Sequence, residues 1–224
     1  RAMTSVWRTC CRAAAAAPSR RPTLRGPKVH PATGLPLSRG RGQHLIHNEG
    51  VVHKMVAAAD IRPYDTVYEV GCGTGELTCR LLPLARQVHT VDIEPRMVQE
   101  TRSRAAAAGY TNLETSIGDA LRVPWPHRFD VCVSNLPYQI SSPFLFRLIR
   151  RLSDNPPWRS AVLMVQREYA DRLIAYPGHR DFSRLSVSVR LFATAHRLFD
   201  VRPGSFTPEP QVHSTVVLLE PKQP

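Results

Sequence analysis

The sequence predicts an α/β domain, a mostly parallel sheet with helices on both faces, and three observations carry that reading. From residue 66 onward, short runs rich in β-branched residues alternate with amphipathic stretches, as in a parallel sheet with helical crossovers. The first of these runs ends in a glycine-rich loop that opens into a helical stretch. The 224 residues, 42% of them hydrophobic, suffice for one such domain with a proper core and a short appendage. The same composition excludes wholesale disorder. No apolar run approaches the roughly 20 residues that a membrane-spanning helix needs, so a helical membrane protein is excluded too. Cys10, Cys11, Cys72, Cys79 and Cys132 form no C-x-x-C pair and have no histidine at zinc spacing. Neither a disulfide scaffold nor a metal site is expected, and a reducing compartment fits better.

Residues 1–41 carry nine basic side chains and no acid, the first carboxylate being Glu49. The remainder is nearly balanced, at 21 basic against 18 acidic residues, so most of the net charge of +12 sits in this Arg/Ala/Ser/Pro segment. It is expected to be flexible, and an organellar transit peptide has this composition. So do a basic tail that grips RNA phosphates and a nuclear import signal. Plain compositional bias is the remaining alternative, since only three of the 30 basic residues are Lys. The chain opens on Arg1 and reaches its first Met at position 3, as expected of a fragment.

The domain proper is expected over residues 42–224. Asn48 is placed to cap a helix running to Ala59, and Pro63–Asp65 makes a turn. Strands are predicted at Thr66–Val70, Gln87–Asp92, Asn112–Ile117, Phe129–Ser134, Ala161–Val165 and Thr215–Leu219. Helices are predicted at Glu76–Arg86, Pro95–Ala108 and Ser142–Leu152, with Pro95 in a first turn and Gly109 past an end. Trp125 and Trp158, in Pro-rich turns, read as core plugs.

The glycine loop is Val67-Tyr-Glu-Val-Gly-Cys-Gly-Thr-Gly75. Its spacing is G-x-G-x-G behind an acid, Glu69, where a dinucleotide site would read G-x-G-x-x-G and a P-loop would carry Gly-Lys-Ser/Thr. Asp92 closes the second strand 21 residues after Gly71, where a carboxylate can take both ribose hydroxyls. Asp119 follows the third strand in Gly-Asp-Ala, placed to accept from an adenine amino group. Each acid alone could be a turn residue. With the loop they point to an adenosine ligand without pyrophosphate, and S-adenosylmethionine is the natural candidate.

After the fourth strand comes Ser134-Asn-Leu-Pro-Tyr-Gln-Ile-Ser-Ser-Pro143. An exocyclic adenine amine is a poor nucleophile, because its lone pair is delocalised into the ring. Hydrogen bonds accepted from its N–H groups by the Asn135 side-chain oxygen and the Leu136 carbonyl would make the nitrogen more tetrahedral. Pro137 fixes the turn, and Tyr138 offers a stacking face worth ~1–3 kcal/mol. An ordinary β-turn is the plain alternative for this tetrapeptide.

These motifs, with Gly42–Asn48, Gly118-Asp119, Gln166-Arg-Glu168 and Phe206-Thr-Pro-Glu-Pro-Gln-Val212, resemble the ribosomal RNA adenine dimethyltransferases in their eukaryotic branch, over roughly residues 34–224. The resemblance implies a Rossmann-like S-adenosylmethionine-dependent methyltransferase fold with a seven-stranded sheet. It implies transfer of methyl groups to the exocyclic amines of two adjacent adenosines near the 3′ end of small-subunit rRNA. The implied donor site comprises Gln43, His44, Ile46, Glu69, Gly71, Gly73, Asp92, Ile93, Asp119, Ala120 and Asn135. In it, His44 and Ile46 line the methionine end, Asp92 takes the ribose and Asp119 the adenine. The implied catalytic set is Asn135, Leu136, Pro137, Tyr138 and Phe206, with Phe206 a second aromatic wall of the base pocket.

Three departures stand out. Asp92 replaces the usual Glu, Cys72 stands where Pro is common, and the small helical domain of the family is expected to be missing after Lys222. The expected partner is small-subunit rRNA in a pre-ribosomal particle, bound by a monomer without a membrane. Arg147, Arg150 and Arg151, on one side of a predicted helix, and Arg167, Arg172, Arg180 and Arg184 are candidates for a minority of phosphate contacts. Leu35–Asn48, Asp60–Pro63 and Asp181–Leu185 resemble plant-type organellar members, so the expected address is the mitochondrion, with the nucleolus as the alternative. Two other functions compete. A DNA-adenine or protein-amide methyltransferase would favour Pro at the position of Leu136, and a non-catalytic ribosome-assembly or transcription factor would have lost turnover on the same fold.

Overall fold

A computed structural model describes residues 44–154 and 157–222; the basic segment expected over residues 1–41, and Gln43, lie outside the described residues. The described chain starts with a two-residue strand, β1 (Leu45–Ile46), and helix α1 (Glu49–Ala58). The Asn48 side chain caps α1 by accepting from the Val51 N–H at 3.2 Å, as the sequence predicts. Strands and helices then alternate through β2 (Thr66–Val70), α2 (Thr78–Leu81), β3 (Gln87–Asp92), α3 (Pro95–Ala107), β4 (Leu113–Ile117), β5 (Val131–Asn135), α4 (Ser141–Arg150) and β6 (Ser160–Gln166). Helices α5 (Arg167–Ile174) and α6 (Arg184–Phe192) lead into β7 (Ala193–Val201), β8 (Phe206–Thr207) and β9 (Ser214–Pro221).

Seven strands form one sheet in the order β4-β3-β2-β5-β6-β9-β7. The first five run parallel, and β9 lies antiparallel to both of its neighbours. The alternation of side chains along each strand builds a core on either face. Tyr68, Cys132 and Leu163 join Phe144 and Leu148 of α4 and Leu173 of α5 on one face. Val67, Val133 and Met164 join Val52 and Met55 of α1, Leu81 of α2 and Ala105 of α3 on the other. This doubly covered sheet is the Rossmann-like fold expected for S-adenosylmethionine-dependent methyltransferases. Strand order reverses between β2 and β5, so a crevice opens beyond the carboxyl ends of these strands, where such sheets bind ligands.

The helix expected over Glu76–Arg86 is cut to the single turn of α2. Pro83 has no N–H to continue the ladder, and the chain turns toward β3 instead. Trp125 and Trp158 are core plugs: their indole N–H groups donate to the Ala120 and Leu148 carbonyls at 2.7 and 2.9 Å. No described helix is long and apolar enough to cross a membrane. Among the described residues no group of three or more His, Cys, Asp or Glu could hold a metal ion.

Candidate active site

The loop after β2 makes its turns at Gly71 and Gly73, whose φ values of 78° and 53° are costly for residues with a Cβ. A Cβ on Gly73 would come within 2.6 Å of Leu45 Cδ2, so β1 lies directly against the loop. A Cβ on Gly71 would stand 3.6 Å from Pro137 Cδ and 3.7 Å from the Asn135 carbonyl oxygen, filling the passage between the two site loops. Helix α3 ties the loop down: the Thr101 hydroxyl donates to the Gly73 carbonyl, and Arg104 to the Thr74 carbonyl and the Glu76 carboxylate.

Between this loop and the ends of β3, β4 and β5 lies a cavity of about 560 Å³, within the usual range for small-molecule sites. Asp92, at the end of β3, lines it. One oxygen of Asp92 accepts from the Gly73 N–H at 3.1 Å and the other from the Glu94 N–H at 2.9 Å. Burial raises the Asp92 pKa, and these two amide donors oppose the shift. The Cys72 thiol also donates to this carboxylate at 3.9 Å, and since a carboxylate has about four acceptor positions, capacity remains for a ribose hydroxyl. Asp119 lines the cavity as well; its Oδ1 accepts from the Leu121 N–H at 2.8 Å, which fixes the turn after β4. Ile93, Met97, Ala120 and Ile140 give the cavity apolar walls for a flat base. The Cβ-free passage, the carboxylates at two strand ends and these walls fit S-adenosylmethionine.

Asn135 ends β5, and the Leu136 N–H continues the sheet by donating to the Met164 carbonyl. The Asn135 amide has one sensible orientation. Its Nδ2 donates to the His44 carbonyl oxygen at 2.9 Å, which leaves Oδ1 as the acceptor. The Ile140 N–H donates to the Pro137 carbonyl, closing a tight turn that carries Tyr138. The Tyr138 hydroxyl is 2.7 Å from Ser214 Oγ, and its ring stacks on the His44 imidazole with centroids 5.5 Å apart. Burial raises the Tyr138 pKa against the hydrogen bond with Ser214, so the hydroxyl is neutral at physiological pH. His44 Nδ1 lies 2.7 Å from the Pro208 carbonyl oxygen, so that nitrogen carries the hydrogen.

Of the sequence-predicted residues, His44, Gly71, Gly73, Asp92, Ile93, Asp119, Ala120 and Asn135–Tyr138 line this one cavity. Three do not. Ile46 is in the core, one residue beyond the lining pair His44 and Leu45. Glu69 is wholly buried beneath the loop, where Oε2 accepts from the Thr78 hydroxyl at 2.6 Å and Oε1 has no partner. Burial pushes the Glu69 carboxyl up to about 7. Phe206, expected as an aromatic wall, pairs with Ile46 across the β1–β8 ribbon and is 1% exposed in the core. The ring beside Tyr138 is His44 instead.

Two of the candidate arginines bind backbone carbonyls. Arg147 donates to the Ala120 and Val123 carbonyls and covers the Trp125 ring, while Arg151 donates to the Pro126 and His127 carbonyls. Both side chains thus strap the loop after β4. Leu45, Met97 and Ile140 line the cavity without having been read as site residues from the sequence, because bare apolar positions carry no spacing signal; Gln139 lines it too.

The family model described as ribosomal RNA adenine dimethylase matches residues 38–224. A probable dimethyladenosine transferase of Caenorhabditis elegans is 45% identical over 203 residues, covering 90% of this chain and 65% of that protein. A mitochondrial ribosomal RNA small subunit methyltransferase of Arabidopsis thaliana is 42% identical, over 85% of this chain and 49% of that one. The chain thus spans about half to two thirds of the length of these curated relatives. Among solved structures, a dimethyladenosine transferase of Plasmodium falciparum superposes with a TM-score of 0.75 at 46% identity, over 80% of this chain and 64% of that chain. The 23S rRNA methyltransferase ErmE superposes with a TM-score of 0.69 at 27% identity, over 80% of this chain and 70% of its own.

Proposed function

The chain belongs to the ribosomal RNA adenine dimethylase family, and on that premise we propose that it is an S-adenosylmethionine-dependent methyltransferase acting on the exocyclic amines of two adjacent adenosines near the 3′ end of small-subunit rRNA. One observation carries the reading: Asn135, pinned through Nδ2 to the His44 carbonyl, keeps Oδ1 free as an acceptor in the same cavity as Asp92 and the Gly71–Gly73 passage.

The donor, when bound, supplies an electrophilic methyl group on a sulfonium. Asp92 would hold the ribose, Asp119 the adenine end, and the glycine loop would admit the methionine portion. Asn135 Oδ1 and the Leu136 carbonyl would accept from the acceptor amine and draw its nitrogen toward a tetrahedral shape. The site would thereby hold the amine lone pair in line with the methyl carbon of the bound donor, and the surplus amine proton would pass to solvent. Positioning contributes most of the rate, and no strong base is needed. The amine lone pair does not have to be created by deprotonation first, so neutral Tyr138 serves as a surface, not as a base.

The RNA substrate in a pre-ribosomal particle, a monomeric state and a mitochondrial address belong to the same proposal. The Arabidopsis relative's mitochondrial name and the acid-free residues 1–41 support the address. The test is tritiated methyl transfer to small ribosomal subunits from cells that lack this activity, followed by nucleoside analysis. Label recovered as N6,N6-dimethyladenosine is expected. Label in another nucleoside, or none, overturns the reading.

A further inference from the structure

We propose that Ser214 is a positioning residue for the acceptor base, acting through the Tyr138 ring that it tethers; the inference deepens the reading above and rests on it. A tyrosine ring serves as a stacking platform only if its plane is held, and the torsion about its Cβ–Cγ bond is intrinsically soft. Tyr138 sits in a single 3-10 turn, Tyr138–Ile140, which by itself holds the ring loosely. The ring tip is anchored elsewhere, 76 residues away in sequence. Ser214 is fully buried at the first position of β9, paired with Gln166 on one side and Val201 on the other. The sheet therefore fixes its backbone and burial confines its hydroxyl, which lies 2.7 Å from the Tyr138 hydroxyl.

His44 limits what the tethered ring can do. Its imidazole covers one face of Tyr138 at 5.5 Å and 30°, and a third ring between them would need a spacing on the order of 7 Å. The imidazole is itself held by the Pro208 carbonyl, and the His44 backbone oxygen holds the Asn135 amide. The acceptor base is left with the uncovered part of Tyr138 that faces the cavity. The segment from β8 to β9 thus sets both rings, through Pro208 and Ser214.

The experiment uses an RNA hairpin of the small-subunit 3′ sequence with 2-aminopurine at a candidate adenosine, whose fluorescence is quenched on stacking, together with steady-state methylation of the unmodified hairpin. Ser214→Ala is expected to weaken the quenching and raise KM for RNA about fivefold to tenfold, with S-adenosylmethionine affinity by calorimetry within twofold of wild type. Ser214→Thr, which keeps the hydroxyl, should restore both. Because Ser214 acts through one bond, Ser214→Ala combined with Tyr138→Phe should be no worse than Tyr138→Phe alone. Additive losses in the double variant overturn the proposal. So does a matching loss of donor affinity that Thr fails to rescue, which would mark general damage to β9. Normal methylation with quenching indifferent to Ser214 overturns the positioning role and leaves the function standing. Ser214-dependent quenching without any methyl transfer sinks the function and leaves the positioning role in place.

Discussion

At the scale of single residues, the site separates groups that would act on the acceptor from groups that would hold the donor. Asn135→Ala removes the Oδ1 acceptor and the tie to the His44 carbonyl. Turnover is expected to fall at least about 10²-fold, with donor affinity reduced far less, since the lost contact is strongest in the transition state. Near-normal turnover would remove Asn135 from the catalytic set. Asp92→Ala should show the reverse, a loss of donor affinity of about tenfold or more by calorimetry, because Asp92 also orients the Gly73 and Glu94 amides. An unchanged dissociation constant would place the ribose contact elsewhere. Glu69 gives a prediction about pH. Burial holds its carboxyl at about 7, above its ordinary 4.5, so between these values the folded state binds more protons than the unfolded chain. Stability should therefore fall as pH rises from about 4.5 to about 7 and level off above that. Glu69→Gln keeps an acceptor for the Thr78 hydroxyl and has no charge to desolvate. Urea unfolding at pH 5 and pH 8 should show a smaller difference in this variant, with the remainder owed partly to Asp92, whose pKa is raised as well. An undiminished difference would assign the titration to another group.

At the scale of elements, the loop after β4 forms part of the donor cavity, and α4 holds it in place. Arg147 reaches the Ala120 and Val123 carbonyls at 2.9 and 3.0 Å and lies 4.6 Å from the Trp125 ring centroid. Arg147→Met keeps much of the stem and loses both hydrogen bonds. It should cost about 2 kcal/mol in urea unfolding and several-fold in donor affinity, because Ala120 lines the cavity. Wild-type stability with weakened RNA binding would return Arg147 to the phosphate-contact role that the sequence suggests. That confusion has a physical source, since an exposed guanidinium and one bound to carbonyls look alike in a helix pattern. The inner parallel strands β2, β5 and β6 were readable because both faces are buried, giving apolar runs such as Ala161–Val165 between polar breaks. β7 escaped detection as an edge strand that mixes His196, Arg197 and Asp200 with apolar residues and carries a register shift between Arg197 and Phe199. α5 and α6 are short, and the Ser186–Val189 alternation in α6 suits a strand as well as a helix. In the site, the glycine loop and Asn135–Tyr138 were legible from spacing and chemistry. The burial of Phe206 was not, because it depends on the pairing of β8 with β1, 160 residues distant in sequence.

At the scale of the whole molecule, the charge is divided between two regions with different work to do. The domain carries 21 basic against 18 acidic residues, whereas residues 1–41 carry nine basic residues and no acid. A segment of that charge suits import driven by a membrane potential, worth about 2.3 kcal/mol per charge per 100 mV. It equally suits phosphate contact or nuclear import, and eukaryotic relatives give no single answer: one is mitochondrial by name, whereas the Caenorhabditis elegans name carries no address. The alternatives differ in the fate of the segment. A mitochondrial leader is cut away and leaves the domain to bind RNA alone; a nuclear or RNA-binding tail stays attached. Fusing residues 3–41 to a fluorescent protein should therefore direct it to mitochondria, with a shortened product on a gel. Retention of the full-length fusion in the nucleus would overturn the mitochondrial address. Either outcome would leave the reading of the site standing, since that reading rests on Asp92 held by the Gly73 and Glu94 amides, Asn135 by the His44 carbonyl and Tyr138 by Ser214.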